Sequence, residues 1–202
     1  DVEIFDFSLS QSKESGLLQL NNPLPAESLN PNYSWIQNKE PDDHAYLIVE
    51  QVLKYAGNNA KVLFLSKYDR KVYELVKESL GSRAILLDAN KDLGILDTNP
   101  NQALIQEKIN LNNLEHLSSF FGQFDIIVTS RLLEHANNIH PFINAITRLL
   151  NENGKIIVEV PDSTKSLLQG DVAMLWEEHT YYFTPGSLRL KFQLLGYNIE
   201  NY

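Results

Sequence analysis

The residues of this chain best equipped for chemistry lie in Trp176-Glu177-Glu178-His179-Thr180-Tyr181-Tyr182-Phe183-Thr184-Pro185-Gly186-Ser187-Leu188. A carboxylate beside an imidazole can exchange protons with an organic substrate near neutral pH, and aromatic neighbours can wall the pair from water. Glu178 and His179 are therefore expected to act as a base or proton relay, with Tyr182 beside them. The competing expectation is a polar loop that caps the next helix. Glu134-His135 is a second acid–imidazole pair, with His135 a further candidate; the alternative there is a hydrogen-bonded turn. Leu114-Glu115-His116 repeats the letters on a short amphipathic stretch, with His116 off the apolar face, and is expected to do no chemistry.

These pairs matter only if the surrounding elements bring them to one place. Val62–Leu65, Ala84–Asp88 and Phe124–Thr129 are short apolar runs of the kind that form strands buried on both faces. Ile105–Asn110 is a weaker strand candidate, and Asn153-Gly154 is expected to turn into another at Lys155–Val160, which Pro161 ends. Helical spacing marks a segment from Asp42-Asp43 to Tyr55, one from about Asp69 to Leu80, a short one at Leu114–Phe121 and one at Pro141–Leu150. Thr184-Pro185 is a good cap and first turn for a last helix running to Gly196.

Strands alternating with helices imply an α/β fold, a doubly wound and mostly parallel sheet. Ligands of such sheets sit beyond the carboxyl ends of the strands, where the strand order switches. That rule selects the residues after Leu65, after Asp88, after Thr129 and after Val160, which makes Ser66, Lys67, Tyr68, Ser130 and Arg131 binding candidates, with Asp88 a carboxylate at the end of its strand placed for a ribose diol. Asp125 is expected at a strand edge or turn. Glu178-His179 falls outside the strand–helix repeat, so it is expected to fold over the ligand edge as a lid. Residues 1–41 hold four of the eight prolines and are expected to be an irregular segment or cap, with 42–202 the α/β domain. Tyr33, Trp35 and His44 flank the first helix and could close the pocket from the other side.

The chain of 202 residues carries a net charge of −9 and no run of basic residues, which argues against a phosphate-tracking nucleic-acid surface. A small-molecule substrate fits better. No apolar run is long enough to span a membrane, and no membrane partner is expected. Zero cysteines exclude disulfides, thiol nucleophiles and cysteine-based zinc sites, which fits the cytoplasm. The spacing points to no metal site. The absence of an initiator Met leaves room for a fragment and a partner domain; oligomeric state is not readable.

Phe124-Asp125-Ile126-Ile127-Val128-Thr129-Ser130-Arg131-Leu132-Leu133-Glu134-His135, followed by Leu149–Pro161 with its Asn153-Gly154 turn, resembles a class I S-adenosylmethionine-dependent methyltransferase. The Glu-His-x-x-Tyr-Phe-x-x-x-x-Leu run at 178–188 is similar to the narrower group of sugar C-methyltransferases. The resemblance implies a Rossmann-like methyltransferase fold and S-adenosylmethionine as cofactor, with Asp88 on its ribose hydroxyls. It also implies a Glu178-His179 pair that deprotonates the acceptor, a nucleotide-linked sugar methylated on carbon or oxygen. Three departures accompany it. The family's glycine-rich turn is replaced by Ser66-Lys67-Tyr68-Asp69-Arg70, where Lys67 and Tyr68 would fill the space unless the loop takes another path. The cysteine zinc module usual at the front of the sugar group is absent, and Trp176-Glu177 stands where that group often has Tyr and His.

Two alternatives stand beside this reading. One is a non-catalytic, methyltransferase-like binding or scaffold domain that has lost ordinary cofactor binding. The weaker one is a nicotinamide-dependent oxidoreductase, which needs the same absent glycines.

Overall fold

The computed structural model describes residues 7–29 and 43–202. Tyr33, Trp35 and the Asp42 cap lie outside the described residues. Within 7–29, expected to be irregular, two three-residue strands stand out: β1 (Leu9–Gln11) and β2 (Leu18–Leu20). They pair antiparallel, Leu9 opposite Leu20 and Gln11 opposite Leu18. Gly16 takes φ 69° in the connecting turn, a left-handed conformation that glycine adopts without a Cβ clash.

Helix α1 (Asp43–Tyr55) buries Ala45, Ile48 and Val52 at helical spacing. Strand β3 (Val62–Phe64) is buried throughout, and a 3-10 turn (Lys67–Asp69) leads into α2 (Arg70–Leu80). Strand β4 (Ala84–Leu86) follows. The strand expected at 105–110 is instead helical, as α3 (Gln102–Lys108) followed by α4 (Leu111–Phe121). Caps decide this: the Asn101 side chain accepts from the Leu104 amide and the Asn110 side chain from the Asn113 amide, each starting a helix.

Strand β5 (Phe124–Ser130), α5 (Ile139–Thr147) and β6 (Leu150–Glu159) come next. The turn expected at Asn153-Gly154 is a bulge inside β6, since Phe124 pairs with Leu150 but Ile126 with Lys155. Gly154 is required there: a Cβ would lie 2.9 Å from Leu150 Cδ2 and 3.0 Å from the Asn151 carbonyl oxygen. Asp125 anchors the same corner, accepting from the Lys61 amide at 2.8 Å and from Asn151 Nδ2 at 2.7 Å. The chain ends with α6 (Thr164–Gln169), β7 (Tyr181–Tyr182) and α7 (Pro185–Leu194). Thr184 caps α7 as expected, through a reciprocal pair with Ser187.

The main sheet is parallel, in the order β4-β3-β5-β6. It has four strands because the fifth candidate is helix. Both faces are apolar and strictly alternate: Val62, Phe64, Ile126 and Val128 pack against α1 and α2, while Leu63, Leu65 and Ile127 face α4, α5 and α7. The chain goes from β3 to β4 on one side, then crosses to β5 on the other, so the switch point lies between the ends of β3 and β5. A second sheet, β1-β2-β7, joins the N-terminal hairpin to the Tyr181-Tyr182 segment. Among the described residues, no helix is long and apolar enough to cross a membrane.

Candidate functional site

At the carboxyl end of β3 the glycine-free loop forms a capped 3-10 turn. Ser66 caps the 3-10 turn, its hydroxyl accepting from the Tyr68 amide at 3.2 Å, while Asp69 Oδ2 accepts from the Ser66 amide at 3.1 Å. The other Asp69 oxygen accepts from the Ser130 amide at 3.0 Å, across the switch point. Asp69 is fully buried. Burial pushes its carboxyl up to about 7 against the lowering effect of the Ser130 and Ser66 donors, with Glu159 raising it further. This carboxylate ties the ends of β3 and β5 together. The Ser66-x-x-Asp69 spacing of a capping box is the signal that would have revealed it.

Lys67 Nζ donates to Asn99 Oδ1 at 2.5 Å, and desolvation lowers its pKa while Asp97 opposes the shift. Tyr68 packs against the main core; burial, aided by the Glu178 charge, pushes its phenol up to about 12. Asp88, beyond β4, is exposed and caps its own turn, Oδ1 accepting from the Asn90 and Lys91 amides at 3.0 and 2.9 Å. Those bonds, the Lys91 amide first, lower its pKa, so it is an oriented carboxylate ion.

Beyond β5, Arg131 takes φ 57°, the one non-glycine residue with positive φ among those described, and its amide donates to the Glu159 carbonyl at 3.1 Å. Strained backbone of this kind gathers at functional sites. His44, at the start of α1, lies 3.6 Å from a Glu159 carboxylate oxygen, so α1 does reach this strand edge.

A 3-10 turn, Leu133–His135, then buries Glu134 and His135. The 178–182 segment is fastened to it. The Thr180 amide donates to the Glu134 carbonyl at 2.8 Å, and His135 Nδ1 bonds the Glu178 carbonyl at 2.7 Å. A carbonyl can only accept, so Nδ1 carries the proton and Nε2 the lone pair. Burial, followed by the neighbouring His179, pushes His135 down to about 3. It is a neutral imidazole with a fixed tautomer and a poor general base.

The His179 ring lies 4.9 Å from His135, 5.6 Å from Trp176 and 6.0 Å from Tyr182 between centroids. Tyr182 is buried; its hydroxyl donates to the Trp176 carbonyl at 2.9 Å and accepts from the Trp176 amide at 3.0 Å, closing the turn that carries His179. Burial pushes that phenol up to about 12. Half-buried Glu178 has a raised pKa, from desolvation first and from Glu177 second, which moves it toward the range of a working base.

Sequence spacing points to no metal-ligand group, yet the fold gathers one candidate among the described residues: Glu134, His135 and His179 offer ligand atoms within 4.8 Å of one another. The N-terminal segment also comes to this place. Pro23, Leu24, Ala26 and Leu29 line a small cleft with His135, Glu178 and Thr180. The side chain of His116 lies outside the described residues, while its helix α4 packs on the core through Leu114 and Leu117.

A comparison with curated proteins gave no match. The family model for a methyltransferase domain matches residues 42–202, the span that carries the parallel sheet, the Asp88 turn and the fastened Glu178-His179 segment. The chain therefore belongs to the methyltransferase domain family, whose chemistry is methyl transfer from S-adenosylmethionine.

Proposed function

We propose that this protein methylates a small polar acceptor, a nucleotide-linked sugar by preference, with Glu178 and His179 removing the acceptor proton. The observation that carries the reading is the fastening of residues 178–180 to the Leu133–His135 turn, at the carboxyl end of β5. It favours a base held over the strand edge where ligands of such sheets bind. Desolvation, with Glu177 second, raises the pKa of Glu178 and so strengthens it as a base. His179 sits in an aromatic setting, and Tyr182 positions it by closing the turn. His135 contributes by holding the Glu178 carbonyl.

The residues present fit the cofactor at its ribose end and meet its methionine end with an altered cradle. Asp88 is exposed and ionised, as a diol partner should be. When bound, S-adenosylmethionine supplies an electrophilic methyl on a sulfonium centre. Ser66, Lys67 and Tyr68 would border its amino-acid part, Lys67 offering a cation to the carboxylate, with Ser130 and Arg131 beside the adenine or the acceptor. The cysteine-free composition supports a reducing compartment such as the cytoplasm.

Calorimetry with S-adenosylhomocysteine is the first test, with saturable binding expected. Glu178→Gln and His179→Gln should then leave that affinity unchanged while lowering methyl transfer to keto-sugar nucleotides by roughly 10²–10⁴-fold. Absence of binding would favour the scaffold alternative, for which the Asp69-filled turn is the structural motive.

A further inference from the structure

We propose that Glu134, His135 and His179 bind one divalent cation of the borderline class, Zn²⁺ or a neighbour in the first transition row. Three atoms no more than 4.8 Å apart fit within a circle of about 2.8 Å radius, so each needs to close by well under an ångström to reach the ~2.0–2.2 Å of zinc bonds. Two imidazoles and one carboxylate form a donor set that suits zinc, cobalt, manganese and iron, and it leaves positions open for a substrate oxygen. Magnesium, which prefers oxygen ligands, suits it poorly.

Local structure is already arranged for ligation. His135 donates its Nδ1 proton to the Glu178 carbonyl at 2.7 Å, the outer-shell bond that orients a metal-binding imidazole and leaves Nε2 for the ion. Glu134 and His135 share one 3-10 turn, and His179 stands between two residues bonded to that turn, since Glu178 accepts from His135 and Thr180 donates to Glu134. The two rings lie 4.9 Å apart at 81°, close without stacking face to face. Holding two ligands and the flanks of the third on hydrogen-bonded backbone reduces the ordering that ion binding requires.

The role of the ion, though not its binding, rests on the methyl-transfer reading. With the ion bound, His179 gives its lone pair to the metal and serves the reaction by holding it, so Glu178 alone is then the base, while the open positions take an acceptor hydroxyl or carbonyl oxygen and polarise it.

The test is a Co²⁺ titration of the full chain after chelator treatment, followed by visible absorption and thermal unfolding. One Co²⁺ per chain is expected, with ligand-field bands and a raised Tm. His179→Ala, a half-buried position, should weaken binding by at least tenfold, whereas His140→Ala, at an exposed position of α5, should leave it unchanged. Equal binding by wild type and His179→Ala, loss of binding in His140→Ala, or a featureless titration would each overturn the site. Calorimetry of the same stripped chain with S-adenosylhomocysteine separates the two readings. Cobalt binding without that ligand keeps the cation site and sinks methyl transfer; the reverse result sinks the cation site alone.

Discussion

Arg131 is the clearest case of a single residue held against its own preference. A left-handed backbone brings the Cβ of any L-residue against the neighbouring carbonyl, at roughly 1–2 kcal/mol. The fold accepts this at the end of β5, where the chain must leave the strand, bond Glu159 and enter the Leu133–His135 turn. Comparing Arg131→Gly with Arg131→Ala removes the same side chain twice and changes only the backbone term. The Gly variant should be more stable by about 1 kcal/mol in urea unfolding. If Ala equals Gly, the strain assigned to this residue is absent.

Asp69 acts at the level of elements, because its two oxygens join the turn after β3 to the end of β5. Its carboxyl is raised from 3.8 to about 7, chiefly by burial. In the window between these values the native chain keeps a proton that the unfolded chain has lost. Its contribution is therefore fully present below about pH 4, declines as pH rises, and is gone above about pH 7. Wild type should lose on the order of a few kcal/mol through this window relative to Asp69→Asn, whose profile lacks the step. Urea unfolding at pH 4.5, 6 and 8 checks the sign; a difference that is constant across pH would refute it. The same residue explains how a methyltransferase turn dispenses with glycine. A capped 3-10 turn keeps its amides bonded to Ser66 and Asp69 side chains, at the expense of the open backbone that a glycine turn presents to a ligand.

On the scale of the whole molecule, the N-terminal hairpin is part of the site's support. Thr180 donates to the Glu134 carbonyl and accepts from the Leu20 amide, so one residue links the hairpin to the Leu133–His135 turn. Leu17 is 2 % exposed and joins the main core, whereas Leu47 on α1 is 66 % exposed. Leu17→Ala should destabilise the protein by about 2–5 kcal/mol, as a core truncation does. Leu47→Ala should stay within about 0.5 kcal/mol. Equal, small effects in denaturant would mean that the hairpin is a dispensable appendage.

The alternation of buried strands and amphipathic helices was legible in the sequence because burial on both faces of a sheet leaves continuous apolar runs, as at Val62–Leu65 and Phe124–Thr129. So was the Thr184 cap, a purely local bond. Residues 105–110 were misleading because only Ile105 and Ile109 are apolar among four polar residues, too few to mark a period, and two asparagine caps settled the matter. The motifs between 124 and 188 also carried the resemblance to the methyltransferase family, whose model matches residues 42–202. Three features were decided by tertiary structure alone: that Asp69 bridges two strand ends, that Thr180 joins the hairpin to the Glu134 turn, and that His179 meets Glu134 and His135. Each depends on groups far apart in the chain, such as Asp69 with Ser130 or His135 with Glu178. Spacing along a sequence records what one element presents. Which elements then face one another is set by how the sheet and its covering segments pack.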